Sequence, residues 1–83
     1  NDFKSEEARK MFTDWQTKCV TLEKQAKQLE ERRTRYTQSS KDERIKMTEE
    51  LLLMEQQYEQ LETEVAGMER AIRNTEIRFR GGK

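Results

Sequence analysis

The stretch RYTQSSKDERIKM, residues 35–47, decides how the rest of the chain folds. On both sides of it apolar residues recur at alternating intervals of three and four, and within it the rhythm stops and restarts out of step. It holds no Gly and no Pro, so composition alone does not mark it as a turn. Ser40 and Glu43 do. A serine followed three residues later by glutamate is a capping box: the hydroxyl accepts from the amide of Glu43, and the carboxylate reaches back to the amide of Ser40. Asp42, in the same first turn, suits the positive end of a helix dipole, and Arg32, Arg33 and Arg35 stand where a preceding helix would end. The stretch therefore reads as the stop of one helix and the start of another.

The flanking rhythm supports this. Phe12, Trp15, Cys19, Leu22, Ala26, Leu29, Arg33 and Tyr36 form one series, which Ala8 and Ser5 extend backwards. Met47, Leu51, Met54, Tyr58, Leu61, Val65, Met68, Ile72, Thr75 and Phe79 form the other. A mean spacing of about 3.5 residues keeps one stripe facing a partner helix in a left-handed supercoil. Continuing the first series past Tyr36 lands on Glu50, whereas the apolar residue is Leu51. One continuous coiled-coil rod, the alternative, thus needs a four-residue stutter with Ser40 and Glu43 or Arg44 in its seam. The expected fold is all-α: an antiparallel two-helix coiled-coil hairpin that associates into a helical bundle. It is a single domain over residues 1–83, with helices near 3–37 and 41–79, a turn near 38–40 and a flexible tail at 80–83. Gly81 and Gly82 end the helical signal.

A hairpin centred on Ser40 sets a register. Leu29 faces Leu51, Ala26 faces Met54, Leu22 faces Tyr58, Cys19 faces Leu61, Trp15 faces Val65 and Phe12 faces Met68. Beside these layers Lys18 faces Glu64, Arg32 faces Glu50 and Arg9 faces Glu69, against the like pairs Glu23 with Glu55 and Lys4 with Arg78. Exposed ion pairs contribute only a few tenths of a kcal/mol each, so they choose the register more than they hold it. Arg33, in the seam near the turn, is expected to snorkel outwards.

Composition narrows the function. With 83 residues, 41% of them charged and 31% hydrophobic, the chain has little core to bury. That balance fits a disordered chain or a helical coiled coil, and the lack of Pro beside abundant Glu, Gln, Lys, Arg, Leu and Met decides for helix. The 17 basic residues cancel the 17 acidic ones, so global charge points to neither a nucleic-acid nor a membrane partner. No histidine is present, which removes the commonest general base and metal ligand. Nothing resembles a phosphate loop, a nucleophile elbow or a paired-cysteine site. The expectation is a chain with no catalytic, cofactor-binding or metal-binding residues and no transmembrane segment. It begins at Asn1 rather than Met, which leads us to expect a fragment or a processed product. No compartment is fixed: a cytoplasmic chain is the default, and a processed periplasmic or secreted one also fits.

Off the seam, Ile45 and Leu52 lie one heptad apart with Leu53 beside them, and Met11 and Val20 are likewise off the seam in the first helix. Ile45, Leu52 and Leu53 are the candidate partner contacts, the partner being another protein or a second copy. Cys19, the single cysteine, reads as a small buried hydrophobe, and Phe12 and Trp15 as packing anchors. Gly67 is either a simple tolerance or a point of bending or close approach. Thr37, Ser39 and Ser40 are conceivable phosphorylation sites, although capping already accounts for Ser40. Charge is unevenly spread: Arg32, Arg33, Arg35, Lys41, Arg44 and Lys46 make a basic tip, residues 47–69 contain no basic residue, and the end of the chain turns basic again. The expected function is a non-enzymatic, self-associating protein–protein interaction or scaffolding module. A chaperone or export-type arm binding client proteins is one alternative; a basic tip binding nucleic acid or an anionic surface is the other.

Overall fold

The computed structural model describes residues 3–81 and consists of two long helices, α1 (Glu6–Gln38) and α2 (Lys41–Gly81), in an extended antiparallel hairpin. Its longest dimension is 62 Å, against 18 and 13 Å across. A helix rises about 1.5 Å per residue, so the 41 residues of α2 alone account for that length. The continuous rod, roughly twice as long, is not formed.

The reversal is a two-residue link built from side chains. Ser40 N–H donates to Glu43 Oε1 at 3.1 Å, and Glu43 N–H donates to Ser40 Oγ at 3.3 Å, the reciprocal pair of a capping box. Ser39 closes α1: its amide donates to the Tyr36 carbonyl at 3.2 Å and its hydroxyl to the Arg35 carbonyl at 2.6 Å. Arg44 then spans the link, donating from Nε to the Tyr36 carbonyl and from Nη2 to the Thr37 carbonyl, at 3.1 and 2.9 Å. The guanidinium lies 5.8 Å from the Tyr36 ring centroid, a cation–π distance. The last carbonyls of α1, which have no partner inside their own helix, are thus met by a cation from α2. Ser39, where a left-handed residue would call for glycine, is extended, with φ −87° and ψ 159°.

The heptad stripes meet along the hairpin. Leu29, Val65 and Ile72 are buried, as are Ala8 and Thr75, and most other stripe residues are half-buried. Two ion pairs fix the register: Lys18 with Glu64 at 2.7 Å and Arg32 with Glu50 at 2.6 Å. Each pair of numbers sums to 82, so the same alignment holds two heptads apart. Arg33 turns out of the seam and pairs with Glu55 at 3.2 Å, which gives Glu55 a cation in place of the like charge of Glu23. Arg9 and Glu69 do not pair: Arg9 donates to the Phe3 carbonyl, and Glu69 accepts from the Trp15 indole.

The open end departs from the simple repeat. α1 begins at Glu6, three residues later than the spacing suggests, because Ser5 serves as N-cap and its hydroxyl accepts from Ala8 N–H at 3.2 Å. At the level of Phe79 the register offers no turn of α1, and Phe79, expected in the seam, is 58% exposed. Arg80 and Gly81, expected in the flexible tail, continue α2; Gly82 and Lys83 lie outside the described residues.

Gly67 does not serve a close approach of α1. A Cβ placed there would find only Arg70 Nη2, at 3.9 Å. Gly67→Ala is therefore expected to stabilise the hairpin by about 1 kcal/mol, and Ser40→Ala to destabilise it by about 1 kcal/mol, both read from thermal unfolding followed by circular dichroism. A loss of stability in Gly67→Ala would mean that the glycine serves a close approach after all.

Candidate interaction surfaces

The open end is tied by a buried carboxylate. Glu76 accepts from the backbone amides of Lys4 at 2.9 Å and Ser5 at 3.0 Å, and from Arg80 Nε, while its residue is only 7% exposed. Burial by itself would push this carboxyl up. The two amides and the Arg80 guanidinium outweigh it and hold the group well below the usual carboxylate range, at about 2. The same carboxylate sits at the positive end of α1, so the helix dipole adds to the attraction. Nothing in the heptad pattern marks this latch. Ser5 ahead of Glu6 and Glu7 is a recognisable helix start, but its place in the seam series masked it, and the amides that Glu76 meets belong to the backbone.

Beside the latch lies an apolar groove of about 320 Å³, floored by Phe3, Phe12, Trp15 and Ile72 and edged by Arg73 and Ile77. Phe12 sits 5.3 Å from Phe3 and 5.3 Å from Trp15, ring centre to ring centre. Phe12 and Trp15 are thus packing anchors whose outer faces also line a groove. Trp15 Nε1 is satisfied by Glu69 Oε2 at 3.2 Å. Both carboxylates of the groove are therefore engaged in positioning backbone and indole N–H groups.

The second surface is the outer face of α2. Ile45, Leu52 and Leu53 are 66%, 60% and 54% exposed, and Leu52 and Leu53 border a shallow groove with Glu49 and Gln56. The face turns away from α1 and has no partner within the hairpin. Val20 is also half exposed, whereas Met11 is half-buried and accepts from Thr75 Oγ1 at 3.6 Å.

The basic tip is partly consumed by the fold. Arg32 and Arg33 are paired across the hairpin, and Arg44 is committed to the link. Arg35, Lys41 and Lys46 remain exposed without an ion pair among the described residues. Arg32, Arg35 and Lys46 line one small groove with Glu43, which offsets their charge. The hydroxyls of Thr37, Ser39 and Ser40 are each hydrogen-bonded at the end of α1 or in the link.

Cys19 is free and half-buried. Burial pushes its thiol up, and the negative charges of Glu69 and Glu23 reinforce this, so it stays protonated at neutral pH. Among the described residues no group of His, Cys, Asp and Glu side chains could hold a metal ion, and no helix is long and apolar enough to cross a membrane. No protein-family model, curated protein or solved structure matches this chain.

The latch carries a pH signature. A depressed folded-state value means that Glu76 stabilises the docked N-terminus fully above its ordinary 4.5 and loses that contribution as pH falls towards about 2. The Lys4 and Ser5 amide resonances are expected to titrate with a midpoint near 2 in the wild type and not at all in Glu76→Gln. A wild-type midpoint at 4.5 would show that the carboxylate is not held by these amides.

Proposed function

We propose that this hairpin is a non-enzymatic coiled-coil module for protein–protein interaction and scaffolding, that it self-associates, and that the outer face of α2 is its contact surface. The observation that carries this reading is the exposure of Ile45, Leu52 and Leu53 on a face directed away from the seam. Single exposed hydrophobes are ordinary, but three within nine residues of one helix form a stripe.

The thinness of the core supports the same reading. Among the described residues Ala8, Leu29, Val65 and Ile72 are the buried hydrophobic ones, and no large side chain is completely enclosed. Burial of a large apolar side chain contributes about 1.5–3 kcal/mol, and ordering each residue costs about 1.5 kcal/mol. On those terms the seam of a lone helix pair falls short of the ordering cost, and a further buried face adds what the seam lacks. Catalysis finds no support: the carboxylates at the groove hold N–H groups of the fold, and the thiol is kept protonated. An anionic-surface reading would rest on Arg35, Lys41 and Lys46, since the other cations of the tip are already engaged. That footprint is short, and the acidic stretch beyond it repels phosphate.

Sedimentation equilibrium across a wide concentration range tests the proposal. The wild type is expected to rise above monomer mass, and Leu52→Ser with Leu53→Ser to stay monomeric. The same double variant should shift stability at low concentration by less than about 1 kcal/mol, because both side chains are exposed there. A wild type that remains monomeric throughout would sink self-association.

A further inference from the structure

The outer face of α2 is heptad-spaced like the seam, and its sequence is complementary to itself when reversed. Near the turn it carries Leu52 and Glu59; near the open end it carries Arg70 and Ile77; between them lie Thr63 and Ala66. All six are exposed. Glu59 and Arg70 form no ion pair within the hairpin, among the described residues. We propose that two copies of this chain pair antiparallel through this face, with Leu52 of each against Ile77 of the other and Glu59 of each against Arg70 of the other. The inference rests on the self-association through the outer face of α2 proposed above and adds the direction and the register.

Charge excludes the parallel arrangement. From Met47 to Glu69 α2 has glutamates and no cation, so parallel copies would set glutamate against glutamate. Reversal sets that stretch against Arg70 and Arg73 instead. The register follows from where charge and apolar residues can both be matched. With Glu59 opposite Arg70, Gln56 comes opposite Arg73, Leu52 opposite Ile77, and the small residues Thr63 and Ala66 meet at the two-fold axis, where the backbones come nearest. Sliding one heptad towards the turn strands Leu52 against Arg70; sliding one heptad the other way strands Glu59 against Ile77. Position 77 also edges the aromatic groove of Phe3, Phe12 and Trp15, so Leu52 of the second copy arrives at the mouth of that groove. The two unpartnered apolar features of the hairpin are thereby two halves of one isologous contact. Ile45 falls just beyond the overlap, which runs from residue 52 to residue 77, roughly 38 Å.

Charge exchange tests the pairing on the full 83-residue chain. Glu59→Arg and Arg70→Glu should each raise the dimer dissociation constant on the order of tenfold, because two pairs per dimer turn from attraction to repulsion. The double variant should restore it to within about twofold. Residues 59 and 70 lie three turns apart on one helix, so rescue can only act between copies. Register is read by disulfide trapping in a Cys19→Ala background. Leu52→Cys mixed with Ile77→Cys should give covalent dimers, and each alone should give none. Association without rescue, or cross-linking of Leu52→Cys to itself or of Ile45→Cys to Ile77→Cys, would overturn this pairing and leave self-association standing. A wild type monomeric at every concentration would overturn both.

Discussion

Everything in this hairpin depends on the reciprocal hydrogen bonds between Ser40 and Glu43. A helix start leaves its first amides without partners in the helix, and here a side chain meets one of them immediately after another helix has ended. Once α2 must begin at Lys41, its direction relative to α1 is set by the shortness of the link, and Arg44 holds that direction by bonding the carbonyls of Tyr36 and Thr37. The seam then has one alignment in which its apolar residues oppose each other. Lys18 with Glu64 and Arg32 with Glu50 reject the alternatives at little energetic weight.

The hairpin divides its stabilisation unequally along its length. The middle relies on half-buried side chains, spread thinly because two helices can cover only one face of each other. Polar contacts concentrate at the two ends, where helix termini leave backbone groups that must be met. Arg44 answers carbonyls at the link, and Glu76 answers amides at the open end. The charges have opposite sign because the two ends of α1 have opposite polarity, one helix thus being closed at both termini by its neighbour.

Periodicity and capping chemistry made the fold legible in the sequence. The two series are out of phase, which a reversal absorbs without the four-residue stutter that a rod would need, and the Ser40 signal marked where it occurs. The seam was legible where both helices run beside each other. It failed at Phe79, because periodicity describes one helix and cannot report that its partner has already ended. The arginines of the tip looked equivalent as letters. In three dimensions Arg44 is a structural clamp, Arg32 and Arg33 are cross-hairpin partners, and of the tip's cations Arg35, Lys41 and Lys46 are the ones left without such an engagement among the described residues. The latch at Glu76 was illegible for a related reason: its ligands are main-chain amides of Lys4 and Ser5, which carry no sequence signature. The groove depended on the tilt of Phe3 against Phe12, which no spacing rule contains.

The position of that latch has a mechanical consequence. The beginning and end of the described chain lie together beside Glu76, while the link stands at the far end of a particle 62 Å long. Tension drawing those two ends apart would act across the hairpin, loading one layer at a time, rather than along it, loading all layers together. The carboxylate would bear the force first, the seam would then part layer by layer, and the Ser40–Arg44 link would be reached last. Pulled in that way, the hairpin would open as a zip, its fastener lying at the end that is loaded first.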